Sequence, residues 1–225
     1  AEPLRARARF ARGAYPHTPV GVAESPAVLA SATTLPADSN PRSRRLAAEL
    51  AAGARDHAEI LERVLARLRA LRLAYTLRPP LLGRHAADEF LFDARRGFCE
   101  HFASAFAVLM RAAGVPTRIV TGYQGGEINP IDGQLVVRQS DAHAWTEAWL
   151  DGRGWVRFDP TAAVAPQRIE SGAGEALGAE FLADSPLAIE RYRNVRLLGW
   201  MRMRWDMMTY HWARLVLNYD AERQG

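Results

Sequence analysis

A chain of 225 residues with 48% hydrophobic side chains is long enough to bury a core of its own. It has no uninterrupted apolar run of about 18 residues, so no transmembrane helix is expected within it. The net charge is +4, but lysine is absent: all 29 basic residues are arginine. They are scattered beside Glu and Asp instead of forming a basic stripe, which argues against nucleic acid as a partner. The single cysteine, Cys99, excludes an internal disulfide and a multi-thiolate metal site. Without a C-x-x-C or H-E-x-x-H pair, neither a metal nor another cofactor is expected. The start, Ala1-Glu2-Pro3-Leu4-Arg5, has no apolar signal core, so any export signal or anchor is expected outside these residues.

In chain order, residues 1–42, rich in Pro, Ala, Ser and Arg, read as an irregular N-terminal arm. Ser43 to Leu73 reads as helical, with Gly53 interrupting it and Asp56 and Glu59 forming an N-cap and its third-position partner. Ile60, Leu61, Val64, Leu65, Leu68 and Leu71 then recur at helical spacing. Tyr75-Thr76-Leu77 is a short extended piece stopped by Pro79-Pro80, and Asp88 to Phe92 is one helical turn. After a loop, an almost wholly apolar helix runs from Cys99 to Gly114, where Gly and the following Pro116 supply the stop. Strands are expected at 115–123, 135–139, 142–150 and 153–159, with a loop at Gly125-Gly126 and Asn129-Pro130. Residues 162–183 read as loop with a short helical piece, and 185–219 as a long helix carrying Trp200, Trp205, Tyr210, Trp212 and Tyr219. The expected division is an arm (1–42), a core (43–165) and a C-terminal extension (166–225).

Cys99 sits at a helix start, where free N–H groups and the helix dipole favour a thiolate. Free cysteines are often mere core filler, but the later chain adds a histidine on one strand, His143, and an aspartate on the next, Asp159. Cys, His and Asp are the set that thiol acyl transfer needs: nucleophile, base and orienting carboxylate. His101 is turned about 200° from Cys99 on the helix and should not reach the sulfur. His17, His57, His85 and His211 have no evident strand partner. Asp141 and Asp151 compete with Asp159 for the third role. A three-residue loop Leu150-Asp151-Gly152 would pair residue 149 with 153 and set Asp159 directly across from His143. On this reading, moving the loop by one residue would separate the two faces.

The motifs G-F-C-E-H-F-A-S, R-A-A-G-V-P-T-R-I-V-T-G-Y, S-D-A-H-A-W-T-E-A-W-L and G-W-V-R-F-D-P-T occur in order. Together they resemble the transglutaminase-like superfamily, and more narrowly its bacterial membrane-anchored TgpA type. The resemblance is strong over residues 88–170. It implies an α+β, papain-like fold with the nucleophile helix packed on an antiparallel sheet. It carries the nucleophile to Cys99, the base to His143 and the orienting acid to Asp159. It further implies a protein-glutamine γ-glutamyltransferase taking a protein or peptide glutamine as donor and a primary amine as acceptor. Its implied place is an extracytoplasmic, periplasmic domain held to the inner membrane by segments outside this chain. A thiol peptidase, amidase or deamidase on the same residues, or a scaffold without turnover, are the alternatives. Calcium is not carried over, because acidic clusters are lacking.

Overall fold

A computed structural model of the chain describes residues 18–164 together with Arg204, Met207 and Met208. Apart from those three residues, the helix expected over 185–219, with its aromatic residues, lies outside the described residues. Pro19–Gly126 and 137–164 belong to one compact unit, and Glu127–Val136 to a second.

The helices of the first unit are α1 (Pro26–Ser31), α2 (Pro41–Ala51), α3 (His57–Ala70), α4 (Ala86–Asp88, running on into a π-helical turn over Glu89–Ala94), α5 (Cys99–Ala112) and α6 (Pro160–Val164). β1 (Ala74–Tyr75) pairs in parallel with β2 (Arg96–Gly97) just ahead of α5. β3 (Thr117–Tyr123), β6 (Ala142–Leu150) and β7 (Gly154–Phe158) form an antiparallel sheet in the order β3-β6-β7. In the second unit β4 (Glu127–Ile128) and β5 (Leu135–Val136) form a small hairpin, where the sequence predicts only a loop and the start of a longer strand. The α+β class expected from the sequence is thus observed, with α5 packed on β6.

α5 is the centre of the core. Phe102, Ala105, Phe106, Leu109 and Met110 are buried on it, against Val64 and Leu68 of α3, Phe90 and Leu91 of the π-helical turn, and Ala148 of β6, while Ala103 packs with Cys99 and Ala144. Its C-terminus closes in a Schellman motif: Gly114, at φ +84°, gives its N–H to Arg111, and the Val115 N–H reaches back to the Met110 carbonyl. Only a residue at ease with positive φ makes that reversal without strain, which is why Gly114 ends the helix.

Two expectations about local structure need correction. The described part of the N-terminal segment, residues 18–42, is not an irregular arm. It contains α1, and α2 begins at Pro41 instead of Ser43. From Val20 onward it is bonded to the body: the Val20 carbonyl accepts from Trp155 N–H (2.8 Å), the Gly21 carbonyl from Trp149 Nε1 (2.9 Å) and the Ala32 carbonyl from Thr117 N–H (3.0 Å). A segment poor in apolar periodicity is held here by backbone acceptors, a signal that composition does not carry.

The second correction concerns the β6–β7 turn. The loop is Asp151-Gly152-Arg153, Leu150 pairs with Gly154, and Trp149 pairs with Trp155. The register is therefore displaced by two residues from the expected one. Gly154 also sits at φ +73°, and a Cβ there would collide with the Val20 carbonyl oxygen. The turn position is thus set by the N-terminal segment crossing Gly154. Sliding a loop of fixed length changes the sum of paired residue numbers by two and keeps each side chain on its face. Only a change of loop length would exchange the faces, so the expected fragility was misplaced.

Candidate active site

Each of the three residues singled out from the sequence has its own support. Cys99 is the first residue of α5, after Phe98 in an extended conformation. Phe98 has no side-chain oxygen to cap the helix. Instead His101, at the third helical position, accepts the Phe98 N–H on Nδ1 (3.4 Å). This is the role of His101, whose ring also packs against Phe90 and lies edge-on to the Phe98 ring with centroids 4.5 Å apart. A hydrogen-bonding residue three positions after the helix boundary is a sequence signal that could have indicated it.

His143 is buried near the start of β6. Its Nε2 lies 2.6 Å from Oδ2 of Asp159. Extending the β6–β7 pairing puts Asp159 opposite Trp145, so the two side chains meet diagonally on one face instead of directly across. The other carboxylate oxygen, Oδ1, accepts the N–H groups of Thr161 (3.0 Å) and Ala162 (3.2 Å) at the first turn of α6. Pro160 opens α6, so the strand-to-helix change fixes the carboxylate at both oxygens.

With Nε2 engaged by Asp159, Nδ1 remains for Cys99, whose sulfur hydrogen-bonds to the His143 ring and to the backbone N–H groups of Ala144 and Glu100. The Ala144 contact was not legible in the sequence, because it depends on where β6 crosses the start of α5. Burial alone would push the Cys99 thiol up. The hydrogen bonds and the imidazolium charge outweigh it and hold the thiol below its usual value. Burial likewise opposes protonation of His143, but the bonds to Asp159 and Cys99 prevail and raise its pKa to about 9. Asp159, despite burial, is held below the usual carboxylate range by His143 and the two α6 N–H groups. The arrangement favours a thiolate–imidazolium pair anchored by a carboxylate.

The competing residues are occupied elsewhere. Oδ2 of Asp141 accepts the Arg138 N–H (2.7 Å), and Asp151 lies in the turn, 3.9 Å from Nδ1 of His57. Nδ1 of His85 accepts the Asn40 N–H (3.1 Å). His17 and His211 lie outside the described residues. Among the described residues, no group of three or more His, Cys, Asp or Glu is placed to hold a metal ion.

A family model, the transglutaminase-like superfamily, matches residues 44–160, more than half of the chain. The chain belongs to the transglutaminase-like superfamily. It is 49% identical over 193 residues to the protein-glutamine gamma-glutamyltransferase of Pseudomonas aeruginosa, an alignment covering 85% of this chain and 29% of that protein. It is also 42% identical over 78 residues to the uncharacterized protein YebA of Bacillus subtilis, covering 33% of this chain and 11% of that one. The crystal structure of the periplasmic domain of TgpA from Pseudomonas aeruginosa superposes with a TM-score of 0.66 at 45% identity, covering 68% of this chain and 54% of that domain. The chain thus spans less than a third of the curated Pseudomonas relative. Among the described residues, no helix is long and apolar enough to cross a membrane.

Proposed function

We propose that this superfamily member is a cysteine-dependent acyltransferase, a protein-glutamine γ-glutamyltransferase, with residues 43–165 as its catalytic core. The observation that carries the reading is the single line of contacts from the Cys99 sulfur through His143 to Asp159. The name of the Pseudomonas relative supports the choice of glutamine as acyl donor. The periplasmic origin of the similar solved domain supports an extracytoplasmic site of action, with membrane anchoring through segments outside these 225 residues.

In this mechanism the Cys99 thiolate attacks the side-chain amide carbon of a glutamine. The Cys99 backbone N–H, free of an intrahelical acceptor at the first position of α5, donates to the developing oxyanion. His143 gives its Nδ1 proton to the departing nitrogen. The C–N bond breaks, ammonia leaves and a thioester remains on Cys99. A primary amine then attacks the thioester and gives its proton to His143. The C–S bond breaks, releasing the new amide and restoring the thiolate–imidazolium pair. Water in place of the amine gives glutamate. Asp159 holds the ring and its charge throughout without accepting the proton.

The test is incorporation of a fluorescent primary amine into a glutamine-rich protein, with ammonia followed in parallel, for the wild type and Cys99→Ala. Incorporation and ammonia release that both vanish in the variant support transamidation. Ammonia without incorporation identifies a deamidase, and new peptide N-termini identify a peptidase. Silence of the wild type toward every donor would favour a scaffold without turnover.

A further inference from the structure

The hydrogen bonds of His143 account for its orientation only while the thiolate is free. Once Cys99 is acylated, the thioester sulfur is a poor acceptor and the Nδ1 contact is lost. The ring then hangs from Asp159 by one bond at Nε2, about which it could swing. Packing must do the rest, and one neighbour is placed to do it.

Trp145 follows His143 by two residues on the same face of β6, and the two rings stack at 23° with centroids 6.2 Å apart. The indole is itself confined. The Arg157 guanidinium lies over it at 4.1 Å from the ring centroid. On the other side of β6, Gly122 of β3 stands directly opposite His143, and the indole leans across it. A Cβ at Gly122 would meet Cζ2, Cζ3 and Cη2 of Trp145, the last at 2.8 Å. Gly122 is not at positive φ and sits inside a paired strand. Its conformation therefore does not call for glycine, and the space taken by the indole does.

The geometry points to Trp145, seated on Gly122 and clamped by Arg157, as a positioning residue that fixes the His143 imidazole when its bond to Cys99 is absent. The proposal rests on the acyl-transfer reading only in taking His143 as the base. Charged groups also face this ring from the packed elements: Cys99 from α5 and Asp159 from the end of β7, with Arg157 of β7 reaching it only through Trp145. β3 contributes Gly122, which has no charge to offer.

The experiment caps the Cys99 sulfur with iodoacetamide, so that it lacks a proton acceptor as in the thioester, and follows the His143 Nε2–H resonance by NMR. No substrate is needed. The signal is expected to remain sharp in the capped wild type and to broaden or vanish in capped Gly122→Ala, whose methyl displaces the indole. The double variant Gly122→Ala with Trp145→Phe should recover it, because phenylalanine lacks the distal indole atoms that meet the methyl. Uncapped Gly122→Ala should retain the signal, since Cys99 then holds the ring. With a glutamine donor, the acyl-enzyme of Gly122→Ala should decay at least about 10-fold more slowly than that of the wild type, with acylation little changed. An equally sharp signal in capped wild type and capped Gly122→Ala would overturn the proposal. So would equal slowing of acylation and deacylation. Should Gly122→Ala fail to fold, Trp145→Ala is read in the same way. Absence of any acyl-enzyme in the wild type would instead count against the proposed function, leaving the capped-sulfur result to judge Trp145 alone.

Discussion

Cys99 and His143 form a pair whose members support each other's charge, and the pH dependence of activity should show it. Acid protonates the thiolate, so activity falls on the acid side below the usual thiol range, because the Cys99 pKa is lowered. Base removes the imidazolium proton needed by departing ammonia, so activity falls again as the pH rises through about 9. Asp159→Asn removes the carboxylate that helps raise the His143 pKa. Its alkaline limb should move to lower pH, and turnover should fall on the order of 10⁴-fold. A rate–pH profile of the two proteins checks both points. An unchanged alkaline limb in Asp159→Asn would mean that Asp159 does not act on His143. The three candidate residues were legible because each carries a separate local signal: a lone thiol at a helix start, a histidine on an alternating strand, an aspartate before proline. Their support was less so. The His101 cap, the Ala144 N–H and the Gly122 seat of Trp145 each depend on how two elements cross.

At the scale of elements, α2 and α4 are joined by a reciprocal cap. The Asp88 carboxylate accepts the N–H groups of Arg42 (2.8 Å) and Ser43 (2.7 Å) and the Ser43 hydroxyl, while Asn40 Oδ1 accepts the N–H groups of Ala87 (3.0 Å) and Asp88 (3.3 Å). Asp88 and Ser43 are buried, so Asp88→Ala leaves donors without partners or water. We expect a loss of about 2–3 kcal/mol in urea unfolding, with turnover per folded molecule little changed. A loss within a few tenths of a kcal/mol would show that the α2 start is held by other means. The contrast with α3 shows what a sequence conveys. There Asp56 and Glu59 are three residues apart, and Asp56 caps the Glu59 N–H as expected (2.8 Å). Asp88 and Ser43 are separated by 45 residues, and no local pattern joins them. The β6–β7 turn missed its expected position for the same reason: Gly154 answers to the carbonyl of Val20, far away in the chain.

For the whole molecule, the absence of lysine among 29 basic residues has a consequence for an enzyme that joins glutamine to amines. Its own side chains offer no primary amine. Concentrated protein should therefore form no multimers linked through its side chains, even with its glutamines present as donors. A ladder of covalent multimers on a denaturing gel, dependent on Cys99 and persisting after the N-terminal amine is blocked, would contradict the glutamine–amine reading. The proposed function requires most directly that Cys99 form a thioester from a glutamine side chain. Intact-mass measurement after brief mixing with a glutamine donor peptide tests it. The expected product is an adduct on Cys99 equal to the donor mass less one ammonia, discharged by added amine and absent in Cys99→Ala. An adduct carrying only the N-terminal part of the donor would contradict glutamine transfer, because it would mean that Cys99 attacks peptide bonds.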